Sequence, residues 1–322
     1  MSRHHTLPAG AGTCHWGFFD AALAPVLTVE SGDTVTIDTV SGPADVLPPD
    51  VLTSGGFEIL PAHREVLEQV EMRARGHIMT GPVAVAGAEP GDVLEIRIEA
   101  ISLAQNWAYT AIAPLRGTLP EDFPTRRLWH TAIDRQRGIG TLPWGTELKL
   151  APFFGVMGVA PPPAYGLQSS IEPREYGGNM DLKELTAGTT LYLPVFVEGA
   201  RFSVGDGHGV QGDGEVCLTA LETALTGTFR LILRKDLKLP LPRAETPTHW
   251  ITLAFDPDLD DAAKTALREM IRLITAETGL AAEEAYMLCS LACDMRITQL
   301  VDGNKGVHAV LPKSVLAGRP GR

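Results

Sequence analysis

Two segments of the chain alternate apolar and polar residues on both sides of a turn signal, and this pattern limits the fold more than any other feature. Residues 26–40 alternate around Ser-Gly-Asp at 31–33, and residues 83–101 alternate around Glu-Pro-Gly-Asp at 89–92. A period of two is typical of half-buried strands, and these turn residues suit tight connections. A weaker copy spans residues 184–197. The sequence therefore predicts β-hairpins and a mainly β core.

The whole chain divides into a β-rich part, residues 1–235, and an α/β part, residues 236–322. The segment 102–175 within the first part reads as short strands and long loops, where substrate contacts often lie. In the second part apolar residues recur every three or four positions over 259–275 and 281–294, which predicts two helices. We expect a β-rich core of hairpins with a smaller α/β portion packed on it near the C-terminus.

The segment 203–216 concentrates ionisable side chains between glycines. It reads Ser-Val-Gly-Asp-Gly-His-Gly-Val-Gln-Gly-Asp-Gly-Glu-Val, and a strand is predicted directly after it at 216–222. Carboxylates and imidazoles are common metal ligands and common general acids and bases. Asp206 and His208 point the same way in an extended chain, so both could bind one ion. The sequence thus predicts a metal or acid–base site on a glycine-rich loop, with a solvated turn as the alternative.

Three more positions are candidates for the same site. Asp181 also follows glycines, and a hairpin-like return through residues 191–197 would bring it near Asp206; its alternative role is a turn or helix cap. His15 and His77 are isolated histidines, for which a hydrogen-bonded structural role is the alternative.

Charge and composition exclude several classes of partner. The net charge is −12, from 27 basic and 39 acidic residues, which argues against nucleic acid and against an anionic membrane surface. No run of 18 apolar residues and no apolar signal-peptide core occurs. The four cysteines lack the spacing of a zinc knuckle, so we expect a cytoplasmic protein with reduced thiols.

At these residues the chain resembles the acetamidase/formamidase family. The similar stretches are 15–33, 80–92, 177–181, 193–200 and 205–215, with 294–302 near the C-terminus. The resemblance implies hydrolysis of C–N bonds in small non-peptide amides. It also implies a β-sandwich or barrel with a smaller α/β portion, and a divalent ion, zinc or calcium.

By that likeness Asp206 and His208 are metal ligands, with Asp181 and His15 as further ones. We expect zinc rather than calcium, and Glu215 or Asp213 as the general base that accepts a proton from the attacking water. Gln211, Asn179 and His77 are expected to contact the substrate, a small linear or cyclic amide. A homodimer is expected because symmetric dimers are the commonest oligomers.

Two alternatives belong to other classes. The first is a metal-stabilised protein that binds a small ligand without turnover, for which calcium with oxygen ligands would be typical. The second is a nucleophilic amidase that uses Cys14 beside His15.

Overall fold

Two β-sheets packed face to face form most of the protein, in a computed structural model that describes residues 2–317. The larger sheet has nine strands, in the spatial order β1 (His4–Leu7), β5 (Thr34–Asp38), β17 (Leu225–Arg234), β7 (Val93–Leu103), β15 (Thr190–Pro194), β18 (Arg243–Glu245), β19 (His249–Asp256), β21 (Lys305–Pro312) and β20 (Asp294–Gln299). Every neighbouring pair is antiparallel except β1 and β5.

The remaining strands form three smaller sheets. The six-stranded sheet contains β14 (Gly177–Asn179), β12 (Phe153–Gly158), β16 (Phe202–His208), β6 (Ile78–Val85) and β2 (Cys14–Trp16), with β4 (Leu27–Val29) parallel to β6. A four-stranded sheet contains β8 (Trp107–Ile112), β9 (Arg127–Asp134), β10 (Ile139–Thr141) and β11 (Glu147–Lys149). A two-stranded sheet pairs β3 (Phe18–Phe19) with β13 (Gln168–Ser169).

The main core lies between the nine-stranded and the six-stranded sheets. The larger sheet contributes alternate residues such as Leu94, Ile96 and Phe229, and the smaller sheet contributes Phe154 and Phe202. All five are fully buried, and their alternation along each strand is that of a sandwich with one face inward. The predicted mainly β fold is confirmed.

Helices are few, and the two long ones lie near the C-terminus as expected. The helices are α1 (Asp50–Ser54), α2 (Pro61–Gln69), α3 (Leu259–Thr278) and α4 (Ala282–Ala292), with 3-10 turns at Ala44–Val46, Pro163–Tyr165 and Lys313–Val315. The Asp258 carboxylate caps α3 by accepting the amide protons of residues 260 and 261, and Gly279 ends it in the left-handed conformation. No helix within residues 2–317 is long and apolar enough to cross a membrane.

The predicted turns are present, but the strands they join do not pair as hairpins. β4 and β5 flank the first turn, yet β4 pairs with β6 and β5 pairs with β1 and β17. β6 and β7 flank the second turn and lie in different sheets. Each turn therefore carries the chain from one layer of the sandwich to the other. This buries the apolar faces of both strands against each other instead of joining their backbones.

Two further expectations are changed by the structure. Residues 216–222 form turns and an isolated bridge rather than a strand, because Glu215 and Leu218 have φ of 42° and 87°. The C-terminal part adds β18 to β21 to the nine-stranded sheet, and α3 and α4 cover one face of this extension. The division at residue 235 stays a prediction, and residues 318–322 of the second part lie outside the described residues.

Candidate functional site

Neighbouring strands of the six-stranded sheet bring three predicted site residues together. Asp181 comes two residues after β14, while Asp206 and His208 lie within β16, and β12 pairs with both strands. The proximity of Asp181 to Asp206 that was expected is present, but it does not arise through residues 191–197. That segment contains β15, which belongs to the other sheet.

The segment around His208 is a buried strand rather than a loop. A side chain at Gly205 would meet the Ile78 carbonyl oxygen at 2.2 Å, and one at Gly207 would meet the Thr223 carbonyl oxygen at 2.4 Å. These glycines are therefore required by close backbone approach, which fixes Asp206 and His208 rigidly.

Gly155, in β12, forms the floor beneath the three side chains. A Cβ atom at this position would lie 2.5 Å from a carboxylate oxygen of Asp181, 2.5 Å from one of Asp206 and 2.7 Å from Cε1 of His208. The absence of a side chain thus creates the space in which these polar groups converge.

Glu222 completes the cluster and was missed by the sequence reasoning. Its Oε2 lies 3.4 Å from Nε2 of His208, and Oδ2 of Asp206 lies 3.1 Å from the same nitrogen. The Glu222 backbone is held by reciprocal bonds with Tyr109 of 2.8 and 2.9 Å. The sequence feature that could have identified Glu222 is its position as the single charged residue of the stretch 216–229.

Gln211 orients His208 from the opposite side of the ring. Gln211 Nε2 donates to the Asp181 backbone oxygen at 2.9 Å, so its Oε1 faces His208 Nδ1 at 3.0 Å and accepts that N–H. The other ring nitrogen, Nε2, therefore faces Asp206 and Glu222, and without a metal it donates to Asp206 Oδ2 at 3.1 Å. This is the outer-shell arrangement typical of a metal-bound histidine. Both ends of the Gln211 amide are engaged within the protein, in place of the expected substrate contact.

Burial and mutual charge shift the pKa values of this cluster in opposite directions. Burial opposes protonation of His208, but the Glu222 and Asp206 carboxylates outweigh it and raise its pKa well above the usual value. Burial would also raise the pKa of Asp206, yet His77 and His208 outweigh it and hold that pKa well below its usual range. Burial raises the pKa of Glu222 to about 7, although His208 opposes the shift.

Several oxygens of the cluster have no hydrogen-bond partner among the described residues. Both carboxylate oxygens of Asp181 and Oε2 of Glu222 are buried and unpaired. Unpaired buried carboxylate oxygens are costly, and a cation between them removes that cost. Asp206, His208 and Glu222 present ligand atoms within 4.8 Å of one another, as do Asp181, His208 and Glu215. The donor set, one imidazole with several carboxylates, fits a divalent ion.

A cavity of about 530 Å³ opens above the cluster and contains more of the predicted residues. His77 lines it, with Nε2 3.8 Å from Asp206 Oδ2 and Nδ1 3.2 Å from the Ser170 backbone oxygen. Asn179 also lines it; its Nδ2 donates to the Ile171 oxygen, while its buried Oδ1 is unpaired within the described chain.

Glu215 and Asp302 add two more buried carboxyl groups to the cavity wall. Burial, and then the Asp181 and Asp302 carboxylates, raise the pKa of Glu215 well above its usual value. Burial and Asp181 likewise raise the pKa of Asp302. Asp302, in the turn after β20, was not singled out from the sequence. Proton-holding carboxyl groups of this kind are typical of general acids and bases.

Backbone strain accompanies the same carboxylates. Three of the seven non-glycine residues with positive φ between residues 2 and 317 are Asp181, Asp206 and Glu215, at 51°, 55° and 42°. Such conformations are uncommon for residues with a side chain and cluster at functional sites.

His15 and Asp213 lie outside the cluster. Trp16 lines the cavity, so alternation along β2 directs His15 to the opposite face, where its ring packs edge-on against Phe18 at 5.4 Å. Burial there lowers the pKa of His15 to about 4. Asp213 pairs with Lys183 at 2.8 Å.

Cys14 shows no sign of activation. Its Sγ lies 3.5 Å from Thr80 Oγ1, and burial raises the pKa of the thiol. A nucleophilic cysteine requires the opposite shift.

Fold and site together define a β-sandwich protein with a buried carboxylate–histidine centre at the floor of a cavity. The chain belongs to the acetamidase/formamidase family, whose family model matches residues 19–168 and 164–317. The resemblance seen in the sequence motifs is thereby confirmed.

Individual members of the family are similar to this chain over different lengths. A formamidase of Methylophilus methylotrophus is 28% identical over 249 residues, which cover 58% of this chain and 61% of that protein. An acetamidase of Mycolicibacterium smegmatis is 31% identical over 200 residues, which cover 44% of this chain and 49% of that protein. The matched region thus spans about half to three fifths of these curated relatives. The solved acetamidase structure from Bacillus halodurans has a TM-score of 0.82 and 32% identity, and the match covers 97% of this chain and 99% of that one.

Proposed function

We propose that the protein is a hydrolase of non-peptide C–N bonds in amides. The observation that carries this is the set of unpaired, buried carboxylate oxygens around His208 at the floor of the cavity. Relatives named formamidase and acetamidase support the same reaction class.

A divalent ion bound at Asp206, His208 and Glu222, with Asp181 beside them, would supply an electrophile for the amide oxygen and acidify water. Zinc is proposed over calcium because the central donor is an imidazole nitrogen, whereas calcium prefers oxygen ligands throughout.

Residues of this chain then bind the amide and transfer a proton from the attacking water to the leaving nitrogen. Asn179 Oδ1, which is unpaired within residues 2–317, accepts a hydrogen bond from the amide N–H of the substrate. His77 Nε2 accepts a second one, because His77 Nδ1 carries the proton that is donated to the Ser170 backbone oxygen. Beside a bound cation the Glu215 carboxyl group would ionise, accept a proton from the attacking water and transfer it to the leaving nitrogen. Its raised pKa favours holding that proton until the transfer.

The test is hydrolysis of formamide and acetamide, followed as ammonia release, and of a small lactam, followed as new amine. We expect Asp206→Asn and His208→Ala to lower kcat/KM on the order of 100-fold or more, since each removes a central ligand. Asp122→Asn, an exposed loop carboxylate, is the matched control and should retain wild-type activity.

Two results would overturn the proposal. Full activity and full metal content in both cluster variants would exclude this centre. A stoichiometric ion with no turnover of any amide would instead identify a metal-stabilised binding protein.

Oligomeric state and compartment are proposed on more general grounds. A homodimer is proposed because symmetric dimers are common, and light scattering in solution measures the oligomeric state directly.

A cytoplasmic location is supported by four cysteines that are all free. Fractionation of the producing cells tests that location.

A further inference from the structure

The cavity above the cluster is much larger than formamide or acetamide requires. Its volume of about 530 Å³ lies within the range of sites that hold drug-sized ligands, about 300–1,000 Å³. Formamide and acetamide have only three and four non-hydrogen atoms. Apolar side chains form part of the wall, among them Trp16, Val40, Ile78 and Leu218. A substrate with an apolar body between its amide and its far end would fill this space.

The wall also contains two arginines, Arg75 and Arg116, that have no anion beside them within residues 2–317; Arg75 is exposed to solvent, and Arg116 is the more buried of the two. Arg116 lies between β8 and β9, lines the cavity and is half-buried, and its side chain makes no ion pair or hydrogen bond with residues 2–317. In contrast, the Asp45 carboxylate on the same wall is paired with Arg126 at 2.8 Å. Guanidinium groups bind carboxylates through charge-assisted, often bidentate hydrogen bonds.

The loop that carries Arg116 is fixed to the segment that carries Glu215. Thr118 N donates to the Val216 oxygen at 2.9 Å, and Arg116 N donates to the Ala113 oxygen at 3.2 Å. A side chain on Gly117 would meet the Val216 oxygen at 3.4 Å, so the two segments are in close contact. The backbone from which the Arg116 side chain extends is thus fixed relative to the segment that carries Glu215.

We propose, on the basis of the amidase function above, that the substrate is an amide with a carboxylate at the end remote from the scissile bond. Arg116 pairs with that carboxylate, and the apolar wall contacts the part in between. The inner end of the cavity already holds Asp206, Glu215, Glu222 and Asp302, so an anionic substrate must place its carboxylate outward. Because the whole chain carries a net charge of −12, only a local cation can favour such a substrate.

The reaction balances with water as the second reactant. The carbonyl carbon gains a bond to the water oxygen and loses its bond to nitrogen. One water proton goes to the leaving nitrogen, which departs as ammonia. The other stays on the new carboxylic acid, which then ionises and protonates the ammonia to ammonium. The product is a dicarboxylate when the substrate is a primary amide with one carboxylate.

The experiment compares matched pairs of amides that differ by one carboxylate: benzamide with 4-carbamoylbenzoate, and butyramide with succinamate. For each pair the ratio of kcat/KM, carboxylated over neutral, is measured in the wild type, Arg116→Gln and Arg116→Lys. Arg135→Gln, an exposed arginine in the turn between β9 and β10, is the control.

We expect at least one pair to give a wild-type ratio above about 10, and Arg116→Gln to lower that ratio about 10- to 100-fold, as loss of a charged hydrogen bond predicts. Arg116→Lys should restore part of it, and Arg135→Gln should keep the wild-type ratio. A fold defect would lower both members of a pair together and leave the ratio unchanged.

Failure of this inference is distinguishable from failure of the proposed function. Turnover of formamide or acetamide with no preference for any carboxylated amide overturns the inference alone. Absence of turnover for every amide overturns the proposed function. Calorimetric binding of 4-carbamoylbenzoate to wild type and Arg116→Gln then tests the Arg116 contact independently, and equal affinities overturn it.

Discussion

At the scale of single residues, the position that most limits the site carries no side chain. Gly155 lies beneath Asp181, Asp206 and His208, and a Cβ there would approach two carboxylate oxygens to 2.5 Å. Asp206 and His208 belong to a buried strand and Asp181 is buried just after β14, so these neighbours cannot withdraw without disturbing the sandwich.

Gly155→Ala is therefore expected to abolish metal binding and lower amide turnover on the order of 100-fold or more, with a smaller effect on the melting temperature. Gly12→Ala is the matched control, because nothing lies within 4 Å of a Cβ at that position. Metal content by mass spectrometry, activity and thermal melting are measured together. A Gly155→Ala protein with full zinc content would show that the three side chains do not share an ion.

Gln211 acts on the site through His208 and through the Asp181 backbone. Its Oε1 holds Nδ1 at 3.0 Å and so directs the other ring nitrogen toward Asp206 and Glu222. Gln211→Ala should weaken zinc affinity about 10- to 100-fold, the usual cost of losing an outer-shell partner. Gln211→Glu keeps the acceptor for Nδ1 but loses the donor to the Asp181 backbone oxygen, so it should retain only part of the affinity. A competitive chelator titration measures both, and equal affinities in Gln211→Ala and wild type would contradict this role.

Sequence reasoning identified the local pair Asp206 and His208 and, through a path that the structure does not use, also Asp181; it missed three distant contributors. Asp206 and His208 are two positions apart in one strand, so their spacing alone predicts a shared site. Gly155, Glu222 and Asp302 reach the same point from three other parts of the chain. No local period or spacing relates them to residue 206.

At the scale of elements, turn chemistry was predictable and strand pairing was not. The turns at 31–33 and 89–92 are where the residue types require them. Their flanking strands pair with partners up to about two hundred residues away, such as Thr36 with Thr228. Pairing depends on which apolar faces can be buried together, and that is a property of both layers.

The first of these turns contains a carboxylate that stabilises the fold in a pH-dependent way. Asp33 is 3% exposed and accepts hydrogen bonds from the backbone N–H groups of Arg3 and Glu30 and from His5 at 2.9 Å. These interactions, the Arg3 N–H first and then His5, lower the pKa of Asp33 from 3.8 to about 2.

A carboxyl group whose pKa is lowered by folding stabilises the folded state at pH values above its unfolded pKa, here 3.8. That stabilisation is lost as the pH falls toward the folded pKa of about 2. Asp33→Asn should therefore reduce the free energy of unfolding by about 2 kcal/mol at pH 7 and by much less near pH 2. Urea unfolding at both pH values measures the difference, with Asp122→Asn as control. An equal loss at both pH values would show that charge is not the cause.

At the scale of the whole molecule, the protein places several acidic groups in one interior region. Asp181, Asp206, Glu215, Glu222 and Asp302 are each at most 8% exposed and surround the His208 ring. Like charges at this depth repel each other, and the raised pKa values of Glu215 and Asp302 are one consequence. A bound divalent cation would remove the repulsion, so metal binding and folding should be linked.

Zinc is accordingly expected to raise the melting temperature of the metal-free protein. Free zinc at 100 times its dissociation constant stabilises the fold by about 2.7 kcal/mol, which corresponds to roughly 4 °C for a chain of this size. Glu222→Gln removes one ligand and one buried charge. It should lose most of the zinc-dependent shift, yet melt above the metal-free wild type, because a like charge is gone. Calorimetric melting of both proteins, with chelator and with zinc, measures the four temperatures. Wild type that melts at the same temperature in chelator and in zinc would exclude an ion at this centre.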